Sequence, residues 1–228
     1  MSPRIGLFTL MSVCAMIGIM TMAQAYGAER TVQAPVAALD AKEEGASATA
    51  IFAGGCFWGV EGVFSHVKGV TSATSGYAGG KAGLRVNYDM VSDGTTGYAE
   101  SVRVTYDPRV VSYGTLLRIF FSVIADPTTL NYQGPDHGTQ YRSALFPQSM
   151  EQDRVARAYL AQLGSARVWN GAIVTRVEPT VRWQPAERYH QDFLANNPDH
   201  PYIRRWDLPK LAAFKAQFPK LFSANPSR

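Results

Sequence analysis

The sequence predicts a single α/β domain built around a central mixed β-sheet, and three observations predict it. The 228 residues are 46% hydrophobic, enough to bury one core of ordinary size. Short apolar or alternating runs that suit strands intermix with stretches of helical spacing. These elements lack the regular beat of a doubly wound sheet, and no internal repeat is present.

The chain opens on a segment unlike the rest. Arg4 is followed by the uncharged apolar run Ile5–Met22 and by Ala23-Gln24-Ala25, a small-residue cleavage signature. Residues 1–25 therefore read as a secretory signal, with an uncleaved membrane anchor as the alternative for so long a run. Residues 26–48 are rich in Ala, Glu and small polar residues and read as a flexible tether without a core face. The folded domain is expected from residue 49 to 228.

Within that domain Ala50-Ile51-Phe52-Ala53 suits a buried strand, ended by Gly54-Gly55. Phe57, Val60, Phe64 and Val67 then fall at helical spacing, which puts Cys56 at a strand-to-helix turn. Val102, Val104 and Tyr106 alternate with polar residues as a half-buried strand broken by Asp107-Pro108. Glu100 stands just before that strand. Ser112 is a candidate cap for a helix to about Ile124 with Leu116, Leu117, Phe120 and Phe121 inward. Residues 140–146 read as a strand. Ser149 with Gln152 resembles a capping box for a helix ending at Gly164. Residues 172–177 read as a strand and 185–196 as a helix. The last helix, 209–218, is expected to bury Leu211, Phe214 and Phe218.

Charge excludes little but narrows the field. The formal charge of +4 is spread without a basic stripe, so nucleic acid is not an expected partner. His66, His137, His190 and His200 show no ligand spacing with a cysteine pair, so no metal site is expected. Of the two cysteines, Cys14 leaves with a cleaved signal, and the mature chain then holds one thiol, Cys56.

That thiol sits in Gly54-Gly55-Cys56-Phe57-Trp58-Gly59. Partial positive charge at a helix N-terminus favours a thiolate, and the glycines leave the sulfur uncrowded. Phe57 and Trp58 add an apolar wall. The set suits attack on a small electrophile that carries an apolar group. A lone cysteine is more often simply packed, since free cysteine is among the most buried residue types. Two other functions are compatible with it: a cysteine hydrolase with His137 or His190 as base, and a binding module whose aromatic pocket holds thioether side chains.

Further blocks follow in order: Gly76-Tyr77-Ala78-Gly79-Gly80, Thr96-Gly97-Tyr98-Ala99-Glu100, Val104-Thr105-Tyr106-Asp107-Pro108, residues 133–143 around Asp136, Gln140 and Tyr141, and Ala186-Glu187-Arg188-Tyr189-His190-Gln191. With GCFWGVE at 55–61 they resemble the type A peptide-methionine (S)-sulfoxide reductases over roughly residues 49–200. The resemblance implies a two-layer sandwich with a ferredoxin-like core. It implies reduction of methionine (S)-sulfoxide, free or in proteins, with no metal or organic cofactor. Cys56 is then the nucleophile, Glu100 the acid that protonates the sulfoxide oxygen, and Tyr88 and Tyr141 the hydroxyls that hold it. Phe57 and Trp58 receive the S-methyl group, Asp136 fixes substrate or a water, and His190 with Glu187 supports the site. The chain departs from the family in its tail, which lacks the resolving cysteine that many members carry. Ser92 stands where some relatives have another, and Tyr98 replaces a frequent histidine. An external thiol, such as that of a thioredoxin-like protein, is therefore the expected reductant. A monomer, exported to the periplasm or a similar compartment, is expected.

Overall fold

The computed structural model describes residues 31–179 and 182–227. The expected signal at 1–25 lies outside them, as do the first residues of the expected tether.

The sheet has six strands: β1 (Ala48–Gly54), β2 (Val70–Gly79), β3 (Tyr98–Tyr106), β6 (Ser143–Phe146), β7 (Arg176–Val177) and β8 (Trp183–Pro185), in the spatial order β7-β6-β1-β3-β2-β8. Only β6 and β7 pair in parallel, so the sheet is mixed. The four long-range strands run β6-β1-β3-β2 and enclose helices between β1 and β2 and between β3 and β6, the ferredoxin-like arrangement. β4 (Tyr132–Gln133) and β5 (Asp136–His137) form a separate small hairpin.

Period-2 alternation divides the sheet into two faces. Phe52, Tyr77, Tyr98, Val102, Val104 and Tyr106 face the helices and are buried with them. Ile51, Ala53, Ala78, Ala99, Ala144 and Phe146 form a thinner cluster on the other face. The helical layer comprises α1 (Phe57–Ser65), α3 (Tyr113–Ile119), α4 (Met150–Ala166) and α6 (Leu208–Gln217), with short turns α2 (Tyr88–Ser92) and α5 (Phe193–Asn196) at the margin. Ser112 accepts the Thr115 N–H at 3.3 Å and starts α3, which passes into a π-turn over Phe120–Ile124. Ser149 accepts the Gln152 N–H at 3.1 Å and starts α4, while the Gln152 side chain reaches back to the Gln148 N–H. Arg167, at φ 52°, closes α4 three residues beyond Gly164.

Four expectations are corrected. Residues 32–47 are a fixed strap and not a tether: Val32 and Ala34 are buried, and Ser122 accepts both of their N–H groups, Val32 through its carbonyl at 3.0 Å and Ala34 through its hydroxyl at 3.1 Å. Further along, Glu43 accepts from the Tyr106 hydroxyl at 2.6 Å. The strap's partners lie 63 to 126 residues away, so no local period betrays them. The strand expected at 140–146 begins only at Ser143, because Gly138 (φ 134°) leads into a 3₁₀ turn at Thr139–Tyr141. Only Arg176–Val177 of the strand expected at 172–177 pairs, since Val174 is tied to the Pro127 carbonyl. The helix expected at 185–196 is broken at Asp192 (φ 54°), whose N–H is taken by Glu61 at 2.9 Å. The last helix forms as expected, with Phe214 and Phe218 buried and Leu211 packed beside them.

Candidate active site

The site is built where β1 runs into α1. Gly55 makes the turn at φ +90°, and a Cβ there would stand 2.7 Å from Gln133 Cβ, so the turn is open only to glycine. Cys56 becomes the N-cap residue of α1 and is 9% exposed. Phe57 and Trp58 follow in the first helical turn. Glu100 lies inside β3, not before it, and points from the helix-facing side of the sheet. Its carboxylate accepts the Phe57 N–H at 3.0 Å, so an acid meets the start of α1 beside the thiol.

A cavity of about 270 Å³ is lined by Cys56, Phe57, Trp58, Tyr88, Glu100, Asp136, Tyr141, His200 and Tyr202. All seven residues singled out as site candidates from sequence thus converge on one hollow. Tyr88 opens α2 and Tyr141 ends the 3₁₀ turn; neither lies on a strand. Asp136 comes from the small hairpin, and its carboxylate accepts from the Tyr202 hydroxyl. A larger hollow of about 420 Å³, between the strap and residues 108–118, contains none of these groups.

The walls are held tightly. Trp58 stacks on Phe193 with centroids 3.8 Å apart and planes 10° from parallel. Its indole N–H donates to His190 Nδ1 at 3.1 Å, which requires neutral imidazole at that nitrogen. Burial holds His190 below its ordinary pKa and so keeps it neutral. Glu187 accepts from the Tyr77 hydroxyl at 2.8 Å and from the Tyr88 N–H at 2.9 Å, and this fixes where α2 begins. The block at 186–191 therefore supports the cavity from behind. Tyr98 is buried, and its hydroxyl donates to the Leu84 carbonyl at 3.0 Å rather than lining the cavity.

The electrostatics differ from the thiolate expected at a helix N-terminus. Burial pushes the Cys56 thiol well above its usual range, and Glu100, Asp207 and Asp136 add to it; the Trp58 amide pulls the other way and loses. Cys56 rests as a neutral thiol. Burial likewise pushes Glu100 up to about 8, against the Phe57 N–H and with help from Asp136 and Asp207. Burial also keeps the Tyr88 and Tyr141 hydroxyls protonated. Asp207 escaped the sequence reading. It is fully buried, and a Cβ at Gly59 would collide with its carboxylate, which places it on the first turn of α1. Tyr202 escaped as well. Both lie in the tail beyond the last recognisable block, and a tyrosine or aspartate there carries no period or spacing to mark it. Among the described residues, no group of three His, Cys, Asp or Glu could hold a metal ion.

A neutral thiol, a protonated carboxyl and two phenols around an apolar wall are the equipment of a thiol-based oxidoreductase. A model of the peptide methionine sulfoxide reductase family matches residues 48–221. The peptide methionine sulfoxide reductase MsrA 2 of Mesorhizobium japonicum is 54% identical over 82% of this chain and 96% of its own. That of Synechocystis sp. is 52% identical over 74% and 78%. Among solved structures, reduced Mxr1 of Saccharomyces cerevisiae is 32% identical with a TM-score of 0.57, over 76% of this chain and 93% of that one. Methionine sulfoxide reductase A of Corynebacterium diphtheriae is 27% identical with a TM-score of 0.56, over 75% and 92%. The chain belongs to the peptide methionine sulfoxide reductase family, in its MsrA branch. It is an oxidoreductase that reduces methionine sulfoxide at the expense of thiols.

Proposed function

We propose that this chain reduces the S epimer of methionine sulfoxide through a one-cysteine cycle, with Cys56 as nucleophile and Glu100 as general acid. The observation that carries the reading is Glu100 itself: a buried carboxyl, still protonated at neutral pH, shares one cavity with the thiol. The sulfoxide methyl lies against Phe57 and Trp58. Its oxygen takes hydrogen bonds from Tyr88 and Tyr141, preorganised donors of the kind that stabilise developing charge. Asp136 fixes the substrate or a water. Glu100 protonates the oxygen as the Cys56 sulfur attacks the substrate sulfur, and the Glu100 carboxylate so formed takes up the thiol proton.

The balance is simple. The substrate S–O bond breaks and an S–O bond on Cys56 forms. Two electrons pass from the Cys56 sulfur to the substrate sulfur, leaving a sulfide and a sulfenic acid. One external thiol condenses with the sulfenic acid and releases water. A second displaces that thiol as a disulfide and restores Cys56. With one thiol in the domain, no internal disulfide can intervene. A thioredoxin-like protein or a small thiol serves as reductant, and no prosthetic group is needed. The run Ile5–Met22 and Ala23-Gln24-Ala25 support export, and with it repair of oxidised envelope proteins by a monomeric enzyme.

Turnover of the two separated epimers with excess dithiothreitol tests the reading. The S epimer should be consumed, the R epimer spared, and Cys56→Ser inactive. The rate should fall as pH rises through about 8, where Glu100 loses its proton. Glu100→Gln should lose about 10²-fold or more. Turnover of both epimers alike, or full activity in Glu100→Gln, would sink it.

A further inference from the structure

We propose that Tyr202 is a positioning residue of the reaction: its hydroxyl orients Asp136 and its ring braces Trp58. The inference rests on the reading of Asp136 as a substrate-fixing group.

Tyr202 lies in the tail, 66 residues from Asp136 in sequence, yet its hydroxyl donates to Asp136 Oδ2. Asp136 belongs to a hairpin whose strands are two residues each, a unit that the backbone alone holds weakly. A donor on one carboxylate oxygen sets the plane of the group and ties the hairpin to the rim of the cavity. Burial, with Cys56 and Asp136 adding to it, raises the Tyr202 hydroxyl and keeps it a donor over the working pH range.

The ring has a second contact. It meets Trp58 edge-on, with centroids 5.9 Å apart and planes at 86°. Phe193 covers the indole by face-to-face stacking. Trp58 is therefore fixed by stacking, by its bond to His190 and by Tyr202. In this chain the tail from residue 200 onward supplies a wall of the cavity, through His200 and Tyr202.

A double-mutant cycle tests this. Tyr202→Phe keeps the ring and removes the hydroxyl, and Asp136→Asn removes the charge. The assay is steady-state reduction of free methionine sulfoxide with dithiothreitol, with thermal melting to confirm the fold. Tyr202→Phe should raise KM roughly tenfold, the scale of a hydrogen bond to a charged group, with kcat within about twofold. In the Asp136→Asn background the same substitution should change KM by less than about twofold, because the hydroxyl acts through that carboxylate. Multiplying losses in the double variant, or a wild-type KM in Tyr202→Phe while Asp136→Asn is impaired, would overturn the inference alone. Full activity of Asp136→Asn would overturn the reading beneath it as well.

Discussion

At the scale of single residues, the thiol's environment decides the chemistry. The start of a helix favours a thiolate, yet burial, with the neighbouring carboxyl groups adding to it, outweighs it here. Asp207 is one of them, set on the first turn of α1 by the space that Gly59 leaves. Replacing Asp207 with Asn removes that charge and should move the Cys56 ionisation to lower pH. The pH dependence of alkylation by iodoacetamide reads this directly, and an unshifted midpoint would refute it. The reactive residues themselves were legible in sequence because they sit in dense local blocks. GCFWG announces a turn and a thiol, and Glu100 stands in a distinctive run. Their protonation states were only half legible. Burial of Glu100 followed from the chemistry expected of an acid, but the carboxylates that oppose the thiolate come from residues 80 and 151 positions further on than Cys56.

At the scale of elements, periodicity foretold what period can foretell. α1, the Ser112 and Ser149 caps and the helix at 208–217 appear where spacing and capping chemistry put them. Elements shaped by side chains from elsewhere did not. Gln191 Nε2 donates to the Ser75 and Ala186 carbonyls, and its Oε1 accepts the Ser75 N–H; a side chain there takes the place of a strand partner and halts the expected helix. The last helix offers the sharper energetic test. Phe214 is fully buried against Phe218 and Phe222, with ring centroids 5.9 Å away in each case. Phe214→Ala should cost about 3–5 kcal/mol of stability by urea unfolding. A loss under about 1 kcal/mol would mean that the tail packs loosely, and the wall it builds at Tyr202 would be in doubt.

For the molecule as a whole, the strap at 32–47 ties the helical layer to the sheet. Tyr106 and Gln152 both bond to Glu43, and Tyr159 donates to the Pro35 carbonyl at 2.6 Å. Deleting residues up to 47 should lower the melting temperature by at least about 5 °C, since a loss of roughly 2 kcal/mol shifts a domain of this size by that much. An unchanged melt would restore the tether reading. The fold class itself was legible, because the irregular mix of elements excludes a doubly wound sheet. The strap was not, because a segment held by distant partners shows no pattern of its own.

The protonated resting state of Cys56 has a consequence for survival. Peroxides attack thiolates far faster than thiols, so a sulfur that keeps its proton until substrate arrives is a poor target for the oxidants that create its substrate. Burial, and the carboxyl groups that add to it, thus act as a safety catch. They guard the one sulfur on which the whole domain depends against burning out in the conditions that call for it.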